Sequence, residues 1–211
     1  TFVNTTSGAI TLTSDTGTVN LNAQVSSSNG DITINGDTVI QNTNISTGGA
    51  AELRVTADTD SITMVTSVSS TSDMGAITYT STQHMTLGTL TTDSGSISLT
   101  ANAGTVDINA VVSSNSGAIS IVGDEIVQSA DIATGDTASL AVTADIGAIS
   151  MVTGVASTTD IGVITYISAQ NMSLGALTTS TGAITLAADA GEVRINAAVY
   201  SNTGAITISG D

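Results

Sequence analysis

Carboxylates are the side chains of this sequence best suited to chemistry. Asp58-Thr59-Asp60 places two of them one residue apart. A pair of acids can serve glycoside hydrolysis, and carboxylate oxygens ligate Ca²⁺. Asp37 and Asp124 follow Gly36 and Gly123, so the residues with calcium-ligand chemistry are Asp58, Asp60, Asp37 and Asp124. Asp is equally a turn residue, because its side chain hydrogen-bonds nearby backbone. The stretch 87 residues beyond Asp58-Thr59-Asp60 reads Asp145-Ile146-Gly147, without the second acid. The Gly-Gly-x-Gly-x-Asp pattern of calcium-binding β-rolls does not occur. The expectation is therefore corner residues, no dedicated metal site and no cofactor. Incidental calcium would bind only where neighbouring acids repel one another.

Other reactive groups are sparse. Arg54 and Arg194 are the only cations, and each has an acid two residues before it, Glu52 and Glu192. A local ion pair is the expected role, worth at most about 1 kcal/mol if exposed. The single histidine, His84, gives way to Asn171 87 residues later, and there is no Cys to join it in a metal site. No Gly-x-Ser-x-Gly elbow accompanies the many serines. No catalytic residue is expected.

Composition narrows the partners. Eighteen acids against two Arg give a net charge of −16, which excludes neutralising a phosphate backbone and opposes an anionic membrane surface. No apolar run is long enough to insert in a membrane. The hydrophobic fraction is 40% with only 2% aromatic, too apolar for disorder. The fold must bury Ile, Val, Leu and Ala without large rings.

Internal repetition supplies that fold. Gly8-Ala9-Ile10, Gly95-Ser96-Ile97 and Gly182-Ala183-Ile184 recur at an offset of 87, as do Asp37, Asp124 and Asp211. Residues 1–87 and 88–174 align without a gap, more than half of the positions are identical, and 175–211 begins a third copy. Within each copy, alternating apolar pairs start at Ile10, Ile32, Leu53, Ile77 and Ile97, in steps of 22, 21, 24 and 20 residues. Each unit reads as two short strands, such as Ile10-Thr11-Leu12-Thr13 and Val19-Asn20-Leu21-Asn22, with a third apolar position at Val25, Ile45, Val68 or Leu90. Period-2 alternation broken by Gly, Asn, Asp and Ser marks strands and turns. The prediction is an all-β parallel β-solenoid over 1–211, one coil of three short strands per 22 residues or so, spanning roughly 46 Å at the spacing of stacked strands. Gly8, Gly30, Gly95 and their counterparts are expected to take positive φ at a corner. An array of sandwich domains is the competing fold, disfavoured by the sub-repeats and by the absence of Trp.

The pattern Gly-Ala-Ile-Thr-Leu…Gly-x-Val-x-(Leu/Ile)-Asn-Ala at 8–23, 95–110 and 182–197 resembles the repeats of large bacterial surface proteins of the filamentous-haemagglutinin type. The resemblance implies a right-handed parallel β-helix acting as a shaft outside the cell, in adhesion or aggregation, with further copies of the repeat along the axis and homo-oligomeric or fibre-forming partners. Two alternatives accompany it: an ice- or glycan-binding solenoid using an outward Thr file (Thr11, Thr33, Thr78, Ser98), and a polysaccharide-acting β-helix enzyme. Met74 and Ile161 before a corner glycine, Ile167 where Thr80 stands, and Tyr200 where Ser26 and Ser113 stand are the exposed apolar residues expected to mark contacts.

Overall fold

A computed structural model describes residues 2–211; the first residue of the expected 1–211 solenoid lies outside them. Twenty-nine strands, β1 to β29, account for the regular structure of the described residues, which contain no helix and hence none long and apolar enough to cross a membrane. The strands fall into three parallel sheets. Sheet A runs from β1 (Phe2–Thr5) to β28 (Val199–Ser201), sheet B from β2 (Ile10–Thr13) to β29 (Ile206–Ser209), and sheet C from β3 (Thr18–Leu21) to β27 (Val193–Ile195). Each strand pairs with those three before and three after it in the chain. The molecule is a parallel β-solenoid of about 10 turns, with three strands and about 21 residues per turn.

Register converts sequence alternation into columns. Ile10, Ile32, Leu53, Ile77, Ile97, Ile119, Leu140, Ile164 and Ile184 stack in sheet B, all inward and all buried. The residue that follows each of them in its strand faces out. Strand interiors are therefore occupied by aliphatic side chains that meet their own kind one coil away, which suits β-branched residues on a pleated surface.

The corner glycines differ from expectation. Gly8, Gly30, Gly75, Gly95, Gly117, Gly162, Gly182 and Gly204 do not have positive φ; Gly17, Gly49 and Gly154 do. Close approach is the reason for the first set. A Cβ on Gly30, Gly95, Gly117, Gly182 or Gly204 would overlap the carbonyl of the equivalent glycine one coil earlier, and on Gly75 or Gly162 that of Ala51 or Ala138. A hydroxyl three residues before the glycine completes the corner. Ser114 Oγ accepts the Gly117 N–H at 2.8 Å and donates to the Gly95 carbonyl at 3.0 Å; Ser27, Thr92, Thr179 and Ser201 repeat this. The motif Ser/Thr-x-x-Gly is thus a stacking device.

A second correction concerns Val68. It does not continue the inward column of Val25, Ile45 and Leu90: Ser70 does, in register with Ile45 and Leu90. A turn in which the Val68 N–H donates to the Val65 carbonyl at 3.0 Å leaves Val68 buried at the corner and moves the small Ser70 into the sheet.

Two substitutions test the corners by chemical unfolding. Gly95→Ala should lower stability by about 1–3 kcal/mol through overpacking against the Gly75 carbonyl. Asp136, the one described non-glycine residue with positive φ (50°), occupies the position of Gly49 in the preceding copy, so Asp136→Gly should raise stability by about 1 kcal/mol.

Candidate functional site

Acids concentrate at two corners. Between sheets B and C, Asp37 is committed to the backbone: Oδ2 accepts the Gly17 N–H at 2.8 Å and Oδ1 accepts the Thr59 hydroxyl at 2.9 Å. Asp60 Oδ2 accepts from Thr38 Oγ1 at 3.3 Å, and its N–H donates to the Asp37 carbonyl at 2.8 Å. Asp58 acts through its backbone, donating its N–H to Gly36 O and accepting the Thr82 hydroxyl on its carbonyl at 2.6 Å. Asp124 lies at the same corner four coils on, its N–H on the Gly104 carbonyl at 2.9 Å. Asp37, Asp58 and Asp60 thus share one stretch of corner and Asp124 does not join them. Among the described residues no group of three or more His, Asp or Glu side chains is placed to hold a metal ion.

The cations behave as local partners. Arg54 contacts Glu52 and Arg194 contacts Glu192, each at 3.2 Å with both side chains about half exposed or more. His84 Nδ1 accepts the Thr105 N–H at 3.0 Å, a structural use of the ring. An open surface depression of about 250 Å³ is lined by Asn171, Met172, Ser173, Glu192 and Arg194; it holds one ion pair and no convergent acids.

The outward Thr file lies on sheet B, in the register the sequence predicts: Thr11 on Thr33, Thr78 on Ser98, Thr185 on Thr207. Arg54 and Ala141 interrupt it, and Val122, Ile167 and Ala187 break its second column. The expected apolar contacts do not form one patch. Met74 (58% exposed) and Ile161 (52%) share the corner between sheets A and B, four coils apart; Tyr200 (53%) projects from the last strand of sheet A. Ile167 is half-buried on sheet B between Thr143 and Ala187.

Sequence reasoning missed the polar groups inside. Gln41 of sheet C, Ser70 of sheet A and Tyr79 of sheet B are fully buried and meet at the axis. Gln41 Nε2 donates to Ser70 Oγ at 2.9 Å and to the Thr43 carbonyl at 3.1 Å; the Tyr79 hydroxyl donates to Gln41 Oε1 at 2.7 Å and lies 2.7 Å from Ser70 Oγ. With Tyr79 donating to Gln41, Ser70 donates to Tyr79 and the ring of hydrogen bonds closes. Gln128, Ser157 and Tyr166 repeat it one copy later. A signal was present: Gln41 and Tyr79 sit at inward parity in Val39-Ile40-Gln41 and Ile77-Thr78-Tyr79, and all three residues recur at +87. Burial drives both tyrosine hydroxyls well above the ordinary phenol range, outweighing the opposing hydrogen bonds from Ser70 and Ser157.

No protein-family description, curated protein or solved structure matches this chain.

The buried tyrosines predict a pH dependence. The folded state keeps protons that the unfolded chain loses above about pH 10, so stability holds below that pH and falls as pH rises beyond it. Urea midpoints measured across this range should show the fall, and the double variant Tyr79→Phe with Tyr166→Phe should flatten it. At neutral pH, Tyr79→Phe should cost about 1–3 kcal/mol by removing the donor to Gln41 Oε1 and the acceptor of the Ser70 hydroxyl proton.

Proposed function

We propose that this chain is a stretch of a stiff, repetitive shaft in a bacterial cell-surface or extracellular fibre of the filamentous-haemagglutinin type. It serves adhesion or contact with cells and matrix, and it is not an enzyme. The observation that carries this reading is the uniformity of the coil stack. Among the described residues three ladders run without interruption from the first coil to the last, coil length varies only between 20 and 25 residues, and no long loop builds a groove over any face. In such a stack each coil contacts only its neighbours, so stability grows with coil number. His84 and the carboxylates of Asp31, Asp37, Asp60 and Asp73 are engaged in corner hydrogen bonds, and the repeat leaves little room for a unique constellation of the kind catalysis needs. The charge of −16 keeps shafts soluble and apart from anionic surfaces.

Further copies of the repeat along the axis belong to this reading, because the third copy stacks on the second in the same register, Ile206 on Ile184 and Ile208 on Leu186.

Immunogold electron microscopy of producing cells tests the proposal. Antibody against this chain should decorate thin filaments outside the envelope; a diffuse cytoplasmic signal would sink it. Incubating the purified chain with neutral and acidic polysaccharides should release no new reducing ends, and steady release would restore the enzyme reading.

A further inference from the structure

Charge is distributed unevenly around the rod. Of the 18 acids, none lies on a strand of sheet A. Only Asp131 lies on the corner between sheets C and A, where it already accepts the Ala156 N–H at 2.8 Å. Sheet B also lacks acids, but it carries Arg54 and is flanked by the two acidic corners. The outward column of sheet A from Ser26 to Thr178 holds only Ser, Thr and Ala, which makes the face flat.

Two apolar bars border this face. Val65 (43% exposed) and Met74 bracket β10 (Ser69–Ser72), and Val152 (49%) and Ile161 bracket β22 (Ala156–Thr159). The bars are four coils apart, about 19 Å along the axis at the spacing of stacked strands.

We propose that sheet A pairs two copies of this chain side by side and parallel, related by a twofold axis along the rods. The inference rests on the shaft reading. Three observations select a second copy as the occupant. First, a second copy at zero stagger carries the same four-coil period and meets both bars at once. Second, a twofold axis along the rod sets the corner between C and A of each copy against the corner between A and B of the other. Val65 then faces Met74 and Val152 faces Ile161, and the acids of the second corner, such as Asp73 and Asp160, face a nearly uncharged one. Antiparallel rods would set acidic corner against acidic corner, which a chain of this charge opposes. Third, the face with its borders measures about 45 by 20 Å, roughly 900 Å², comparable with the roughly 800 Å² per partner of a stable interface.

Single cysteines test this, since the chain has none of its own. Ser46→Cys lies on sheet A toward one end of the rod and Thr33→Cys on sheet B. Under mild oxidation Ser46→Cys should give about tenfold more disulfide-linked dimer than Thr33→Cys, because pairing holds its thiol beside its own copy. The dimer fraction in sedimentation should rise between about 0.05 and about 0.5 M NaCl as repulsion between the remaining acids is screened. Thr91→Asp, on the same face, should abolish the dimer and leave the circular dichroism spectrum unchanged. Equal cross-linking by both cysteines overturns the proposal. So does retention on an insoluble neutral polysaccharide that Thr91→Asp abolishes while the chain stays monomeric; the face would then belong to a glycan. A monomer whose solution scattering still fits a straight rod removes the pairing and leaves the shaft, whereas scattering from another shape removes the shaft itself.

Discussion

Each coil must lie one hydrogen-bond spacing above the last, about 4.8 Å in every direction around the rod. Strands meet this requirement without effort; corners do not. At the corner between sheets A and B the carbonyl of one coil sits where the Cβ of the next would be, which is why glycine recurs there with ordinary φ. The hydroxyl three residues earlier then ties the glycine N–H to the carbonyl below. Spacing along the axis thus dictates residue identity at the corner and, through it, the period that the sequence displays.

The same spacing shapes the interior. Stacked coils enclose a thin core in which aliphatic columns fill the space, and Trp is absent. A tyrosine fits only where its neighbour across the axis is small. Ser70 and Ser157 provide that room, and Gln41 and Gln128 satisfy the hydroxyls that enter with the rings. A buried polar group without such partners would cost more than the packing returns. The closed networks tie one strand from each sheet together, and near-identical coils shifted by one unit would set Gln41 against aliphatic side chains. Register is thereby specified in a core whose hydrophobic columns alone would tolerate slippage.

Much of this was legible in the amino-acid order. Period-2 alternation with glycine punctuation marks the strands, the 20–24-residue steps inside the 87-residue repeat mark the coils, and the Thr residues one position after the first inward residue form one outward column. Three features were not. The role of the corner glycines is hidden, because sequence shows where glycine stands and not what lies one coil below. The exchange of Val68 for Ser70 in the core column is hidden too, because a turn that shifts register by two residues leaves the apolar pattern intact. The Gln–Ser–Tyr rings join residues 29, 38 and 9 positions apart, a proximity that only the helical path around the axis creates. The candidate calcium acids were legible as residues but not as a group of four: Asp37, Asp58 and Asp60 share a stretch of corner whose carboxylates and carbonyls largely serve the turn, and Asp124 lies four coils on.

The claim on which everything else stands is that successive coils rise uniformly along one axis. Spin labels at Thr11→Cys and Thr207→Cys, nine coils apart in one column, read that rise directly by pulsed dipolar spectroscopy. The expected result is a single narrow distance near about 43 Å, nine strand spacings. A short distance, or a broad distribution such as separate modules on a linker would give, contradicts it.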